Sequence, residues 1–244
     1  MADMKVTNTM KYSVITTAED VREFYTDSHV HTKAPSSNAG WLFSLLLGDC
    51  LGLISGQKWS ELRHLMDPFF SHKVSATRTS SVIAAAAQHL QIELPRLAPQ
   101  QETNGDCVTV NAVEGFSSFP FFFVAEVIYG KLEQNLKDEM WGLAEEHTQL
   151  FRYIVQGGIH RYRISGVIGT EASKKTFDFI RKWESFNNRL YQSQRSQNLQ
   201  TPLVQMLQAS EDKKVTFSEV RGATRGVIRC QCHQANVEIG HPNN

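Results

Sequence analysis

The stretch from Cys50 to Ser71 decides the fold: Cys-Leu-Gly-Leu-Ile-Ser-Gly-Gln-Lys-Trp-Ser-Glu-Leu-Arg-His-Leu-Met-Asp-Pro-Phe-Phe-Ser. Its apolar residues recur at helical spacing, which predicts a helix over residues 57–70. Trp59 and Arg63 lie four residues apart, so both project from one helical face, one turn apart. A guanidinium is a planar, permanently charged fork for a carboxylate, and an indole N–H adds one neutral donor. The same spacing also suits a core tryptophan beside a surface arginine, which is the commoner origin of an isolated pair.

Outside this stretch the sequence predicts a mainly α-helical chain with a few short strands. Residues 136–156 and 173–193 have the amphipathic period of long helices, and Thr17 is expected to cap the first helix. The predicted helices cover residues 17–25, 57–70, 77–94, 117–130, 136–156, 173–193 and 202–210. Residues 11–16 and 107–110 are predicted as short strands, and residues 40–53 as a loop with a helical turn. Pro68 is expected to end or kink its helix, and Pro95 and Gly130 are expected at helix ends. Pro120 is expected in the first turn of its helix.

Composition excludes several classes of function. Apolar residues make up 41% and charged residues 20% of the chain, which is ordinary for a globular protein. Lysine plus arginine balance aspartate plus glutamate at 25 each, and no basic cluster is long enough to predict nucleic-acid binding. The apolar stretches are shorter than the ~20 residues that cross a bilayer. Four scattered cysteines favour a reducing compartment, so the chain as given is expected to be cytoplasmic.

In their order along the chain, these motifs resemble the amino-terminal half of a fungal cytochrome P-450, truncated at both ends. The Trp-x-x-x-Arg stretch resembles the entry to helix C, and residues 119–130, with their closing Tyr-Gly, resemble helix E. The two amphipathic helices resemble helices F and G, and residues 215–220 resemble the start of helix I. The resemblance implies a partial P-450 fold, from helix B to G or H and the start of I. It implies a P-450 domain over residues 1–220 and an irregular tail over 221–244.

The resemblance also implies a function. Members of the family are haem-dependent monooxygenases that take electrons from an NADPH–cytochrome reductase and oxidise small apolar metabolites, here in secondary metabolism. Trp59 and Arg63 would bind a haem propionate, while Trp41, Phe43 and Leu53 would contact substrate. Full-length members belong to the endoplasmic reticulum membrane.

The chain departs from the family where the iron is held. A working member needs a cysteine in a Phe-x-x-Gly-x-x-x-Cys-x-Gly loop, because the thiolate pushes electron density onto the iron. No such loop is present, so stable haem binding is not expected, the chain is expected to be inactive, and whether it is an enzyme stays open. The alternative function is a haem-free remnant that acts, if at all, as a non-enzymatic binding protein. A gene-model artefact and a true truncated paralogue both explain the departure.

Two further expectations concern metal binding and stability. Cys230, Cys232 and His233 supply at most three metal ligands, whereas a structural zinc site needs four, so no metal site is predicted. Without most of helix I, the apolar faces of the two long helices are expected to lose their partner and to destabilise the fold. The residues expected to be left uncovered are Phe151, Ile154, Phe177, Ile180 and Trp183.

Overall fold

A computed structural model describes residues 3–4, 12–13, 16–26, 39–96, 110–212, 215–216, 219–220 and 222–225. The chain divides into two compact units, Met1–Lys33 and Ala34–Asn244. In the first unit, strands β1 (Asp3–Met4) and β2 (Tyr12–Ser13) pair antiparallel, and helix α1 (Ala18–Thr26) follows. Thr17 caps α1 as predicted, since its hydroxyl accepts a hydrogen bond from the Asp20 amide at 3.1 Å.

The second unit is built from helices. They are α2 (Trp41–Leu47), α3 (Gly56–Phe70), α4 (His72–Thr77), α5 (Thr79–Gln88), a π-helical turn (His89–Glu93), α6 (Leu94–Arg96), α7 (Ala112–Tyr129), α8 (Gln134–Gln156), a 3-10 turn (Gly158–Arg161), α9 (Ile164–Val167), α10 (Glu171–Ser196) and α11 (Pro202–Glu211). A last helical segment comprises residues 219–220 and 222–225. The prediction of a mainly helical fold is confirmed.

The long amphipathic helices appear where their periodicity predicts them. Helices α8 and α10 extend the predicted ranges by two or three residues at most, and α11 begins at Pro202 as expected. The Thr170 and Thr201 hydroxyls accept hydrogen bonds from amides in the first turns of α10 and α11, which satisfies donors that a helix start leaves unpaired. Gly130 ends α7 with a φ of 71°, a conformation that glycine adopts without strain.

Three predicted elements are wrong in detail. Residues 40–53 contain a two-turn helix, α2, because four of its seven residues pack into the core. The single helix predicted over 77–94 is broken at Arg78 and by the π-helical turn, and helical structure passes Pro95 by one residue. The proline ring conflicts with the carbonyl four residues earlier, and the wider π turn lies at that point. Helix α7 begins five residues before the predicted start, which places Pro120 in its middle.

The core of the second unit lies where α2, α7, α8, α10 and α11 meet. Trp183 and Phe179 of α10 are fully buried, and Trp183 stacks on Phe179 and Phe186 with ring centroids 6.4 and 5.9 Å apart. The expectation that Trp183 and Ile154 lose their partner is therefore wrong. Phe177, in contrast, is 46% exposed.

The last helical segment covers Trp183. The Trp183 indole Nε1–H donates to the Thr224 hydroxyl at 3.3 Å, and residues 219, 220 and 222–225 are all helical and buried. Residues 222–225 belong to the predicted tail and are helical, while the domain boundary at residue 220 stays a prediction. Residues 226–244, which include the rest of the predicted tail, and the predicted strand at 107–109 lie outside the described residues.

Candidate functional site

Helix α3 presents the two residues predicted to bind a carboxylate. Trp59 is 39% exposed, so it is not the core tryptophan of the commoner interpretation. Arg63 is half exposed one turn further along, and its guanidinium Nε forms an ion pair with the Asp67 carboxylate, a further turn on. Both side chains are about half exposed, so this ion pair lies at the surface of α3.

Helix α2 positions two of the three residues predicted to contact substrate. Phe43 is buried and meets the edge of the Phe151 ring of α8 at 6.0 Å. The half-buried Trp41 ring meets Phe177 of α10 at 6.4 Å. Leu53 follows α2, is half buried and packs against the core. Trp41 and Phe43 thus contact α10 and α8, the helices that resemble F and G, and Phe43 is a core residue of this unit.

A capping box begins the last helical segment beside α3. The Thr216 amide donates to a Glu219 carboxylate oxygen at 2.7 Å, and the Glu219 amide donates to the Thr216 hydroxyl at 3.3 Å. The second Glu219 oxygen lies 4.0 Å from the Lys58 ammonium, next to Trp59 in the sequence. The Thr-x-x-Glu spacing is a sequence signal for this helix start, and it ties the segment to the candidate site.

A buried arginine holds the same segment on α2. The Arg225 guanidinium donates to the backbone carbonyls of Leu45 and Leu46, at 3.4 and 3.1 Å, where α2 ends. The carbonyls at a helix end carry partial negative charge, so a cation is stabilised there. Nothing in the sequence around Arg225 signals this contact, because its partners lie about 180 residues away.

A hydrogen-bonded network joins α7 and α10 beneath the last segment. The Tyr129 hydroxyl donates to the Asn187 side-chain oxygen at 3.0 Å, and the Asn187 amide donates to the Trp183 carbonyl at 2.7 Å. Burial raises the pKa of Tyr129 far above its ordinary value, and hydrogen bonds to Thr224 and Asn187 oppose that rise. The phenol is therefore a neutral donor whose role is to fix the two helices.

The described part of the chain offers no ligands for a metal ion. It contains no group of three or more histidine, cysteine, aspartate or glutamate side chains placed to hold one. Cys50 is a buried thiol in the connection between α2 and α3. Cys230, Cys232 and His233 lie outside the described residues. The binding of a haem propionate by Trp59 and Arg63 stays a prediction.

Comparisons with known proteins identify the class. The chain is 47% identical over 208 residues to cytochrome P-450 monooxygenase sirC of Leptosphaeria maculans, a match that covers 85% of this chain and 44% of that protein. It is 35% identical over 211 residues to cytochrome P-450 monooxygenase hasH of Aspergillus fumigatus, covering 85% and 38%. It is 34% identical over 178 residues to cytochrome P-450 monooxygenase verC of Clonostachys rogersoniana, covering 73% and 34%. No family model matches the chain.

The helical fold and these matches define a cytochrome P-450 sequence. The chain belongs to the fungal cytochrome P-450 family, as the order of its motifs predicts. It spans less than half of the length of the curated relatives it matches.

Proposed function

We propose that the chain supplies part of a haem-thiolate monooxygenase that oxidises a small apolar metabolite of fungal secondary metabolism. The observation that carries this proposal is the 47% identity to a named monooxygenase over 85% of the chain. Electrons would come from NADPH through a reductase partner. When bound, haem would supply oxygen activation, and the described residues would hold its edge and shape the surroundings of the substrate.

Within this proposal the face of α3 binds a haem propionate. Arg63 offers charged N–H donors and Trp59 one neutral N–H, and both are accessible to a group arriving from solvent. The Lys58 ammonium lies 4.0 Å from a Glu219 carboxylate oxygen, next to this face. Trp41, Phe43 and Leu53 would form the apolar side of the substrate region, with Phe43 acting through the packing of α2 on α8.

Metal-free protoporphyrin tests the propionate face, since it carries the propionates and needs no iron ligand. We expect Arg63→Gln to weaken protoporphyrin binding about tenfold, because a hydrogen bond to a charged group is worth ~1.5–3 kcal/mol. Asp67→Asn should strengthen binding, because it removes the competing carboxylate. Porphyrin fluorescence anisotropy measures both. Arg152→Gln, an exposed arginine on α8, is the matched control, and equal loss in both arginine variants would contradict the assignment.

The complete reading frame tests the activity. Sequencing the transcript beyond the codons for Met1 and Asn244 and expressing its product gives the protein whose carbon monoxide difference spectrum is then recorded. A frame containing a Phe-x-x-Gly-x-x-x-Cys loop and a product with a thiolate-type band would support the monooxygenase. A transcript that encodes this chain alone would contradict it.

A haem-free binding protein stays the alternative function, because the Phe-x-x-Gly-x-x-x-Cys loop does not occur in this sequence. We expect this chain, reconstituted with haemin and reduced under carbon monoxide, to show no thiolate-type band. The Cys50 thiol is buried in the α2–α3 connection, away from the exposed face of α3. A thiolate-type band would contradict this expectation, and serine variants of Cys50, Cys230 and Cys232 would then identify the ligand.

An exposed apolar surface supports membrane association, the localisation proposed for the full-length protein. It lies around the 3-10 turn and α9, with Val167 85% exposed and Arg161 and Arg163 beside it. Its apolar residues are Val155, Ile159, Tyr162, Ile164, Val167 and Ile168. Apolar side chains flanked by arginines suit the interface of a bilayer that contains anionic lipids. None of the described helices is long and apolar enough to span a membrane.

Vesicle binding tests this surface. We expect the chain to sediment with phosphatidylcholine vesicles that contain phosphatidylserine, and Val167→Asp with Ile168→Asp to lower the partition coefficient about a hundredfold or more. Each large apolar side chain withdrawn from the bilayer forfeits ~1.5–3 kcal/mol. Ile83→Asp is the control, because Ile83 is also exposed but lies on α5. Equal partition of the double variant and the wild type would overturn the proposal.

A further inference from the structure

A cavity that no residue of α3 lines lies in the second unit. It has a volume of about 280 Å³ and opens between α5, the π-helical turn, α7 and the start of α8. This is near the lower end of the range for small-molecule pockets, ~300–1,000 Å³. It is lined by Ala85, Gln88, His89, Ser118, Phe119, Phe122, Phe123, Glu126, Gln134 and Lys137. None of the five residues predicted to bind haem or substrate is among them, so this cavity is a separate feature of the fold.

The apolar wall of the cavity consists of phenylalanine rings that pack against other aromatic rings. Phe119, Phe122 and Phe123 come from consecutive turns of α7, so they form one continuous surface. The Phe122 ring packs on Trp141 of α8 at 5.7 Å, and Phe119 packs on His89 at 5.4 Å. A wall of flat rings held by other rings suits a flat apolar ligand.

The π-helical turn places His89 in this wall. Its ring is buried, and Nε2 lies 2.6 Å from the Gly115 carbonyl, which only accepts, so Nε2 carries the proton and donates. The contact joins the π turn to α7. Single π turns inside helices occur frequently at functional sites.

Two opposite charges border the cavity without pairing. Lys137 is half buried, and its ammonium lies 5.8 Å from the centre of the Phe122 ring. Glu126, one turn after Phe122 on α7, is exposed at the rim. Neither forms an ion pair with the other or with any other residue in the described ranges. Each charge is therefore available to a ligand that carries the opposite one.

We propose that this cavity binds a small aromatic zwitterion of the amino-acid class. The ring would lie on Phe119, Phe122 and Phe123, the carboxylate would pair with Lys137, and the ammonium group would pair with Glu126. An aromatic body alone would use only the wall, and a simple acid or amine would leave one charge of the rim unmatched. The cavity volume admits a single amino acid with one ring.

Fluorine NMR of 4-fluoro-L-phenylalanine, titrated with the intact chain in the millimolar range, tests the proposal. We expect the ligand's fluorine line to shift and broaden saturably. The carboxamide, which lacks the carboxylate, and the N-acetyl derivative, which lacks the ammonium group, should each bind about tenfold more weakly. An unperturbed line, or equal binding of all three compounds, would overturn the proposal.

Charge-neutral variants locate the site. Lys137→Gln should weaken binding of the amino acid about tenfold and leave binding of the carboxamide unchanged. Glu126→Gln should weaken binding of the amino acid about tenfold and leave binding of the N-acetyl derivative unchanged. Lys131→Gln and Glu133→Gln are matched controls, since both side chains are exposed in the connection before α8 and neither lines the cavity. Glu126, Lys131 and Glu133 are exposed and Lys137 is half buried, so we expect all four variants to fold, which far-ultraviolet circular dichroism checks. If the cavity variants bind like the wild type, or if the controls lose as much, the site is not the one proposed.

Discussion

Replacing Trp183 with alanine is expected to lower the free energy of unfolding of the 34–244 unit by ~3–5 kcal/mol, the usual cost of removing a buried tryptophan. Trp183 is fully buried, stacks on Phe179 and Phe186, and donates its indole N–H to Thr224. The change leaves a cavity and removes the indole donor to the Thr224 hydroxyl. Because a domain is stable by only ~5–15 kcal/mol, much of the cooperative transition should be lost. Urea unfolding followed by far-ultraviolet circular dichroism measures it.

Two variants isolate the causes of this loss. Trp183→Phe keeps most of the apolar volume and removes the donor, so it should cost less than the alanine change. Phe177→Ala on the same helix is the matched control, because Phe177 is 46% exposed and makes one edge contact with Trp41, for which a loss of about 1 kcal/mol is expected. A wild-type chain without a cooperative transition, or similar losses in all three variants, would contradict the assigned core.

Most of the helical fold follows from local sequence signals. Helices α8 and α10 repeat apolar residues over five turns or more, and α11 begins with Thr-Pro, so their positions need no tertiary information. The break in the helix predicted over 77–94 is different. Residues 77–94 contain no glycine or proline, and their alanines favour an unbroken helix. Pro95 disturbs the preceding turn, and the hydrogen bond from His89 to Gly115 of α7 adds a tertiary contact at the π turn, which periodicity does not report.

The candidate site also combines features that local sequence predicts with features that depend on tertiary contacts. The placement of Trp59 and Arg63 on one accessible face follows from a four-residue spacing in a predicted helix. The burial of Phe43 against Phe151 depends on a contact between positions more than 100 residues apart, which periodicity does not report. The capping box at Thr216 is a local signal for the start of the last helical segment. The contacts of that segment with Trp183 and α2 depend on the tertiary fold.

Gly222→Ala is expected to detach the last helical segment from the end of α2. A Cβ at residue 222 would lie 2.6 Å from the Asp49 carbonyl carbon and 2.7 Å from the Cys50 nitrogen, and both are backbone atoms that cannot rotate away. Overpacking of this kind costs ~1–3 kcal/mol or more. The same shift would pull Arg225 from the α2 carbonyls and uncover Trp183, so we expect a loss near the upper end.

Gly142→Ala is the control that separates this effect from the intrinsic cost of changing a glycine. Gly142 lies inside α8, and no atom comes within 4 Å of the position that an alanine Cβ would occupy there, so alanine should stabilise the helix by ~0.5–1 kcal/mol. The two variants thus carry the same chemical change with opposite expected signs. The summed emission of the four tryptophans should shift to the red in Gly222→Ala alone, because the segment that covers Trp183 has moved. If Gly222→Ala is as stable as Gly142→Ala and its spectrum is unchanged, the segment does not rest on α2, and Trp183 is covered by other residues.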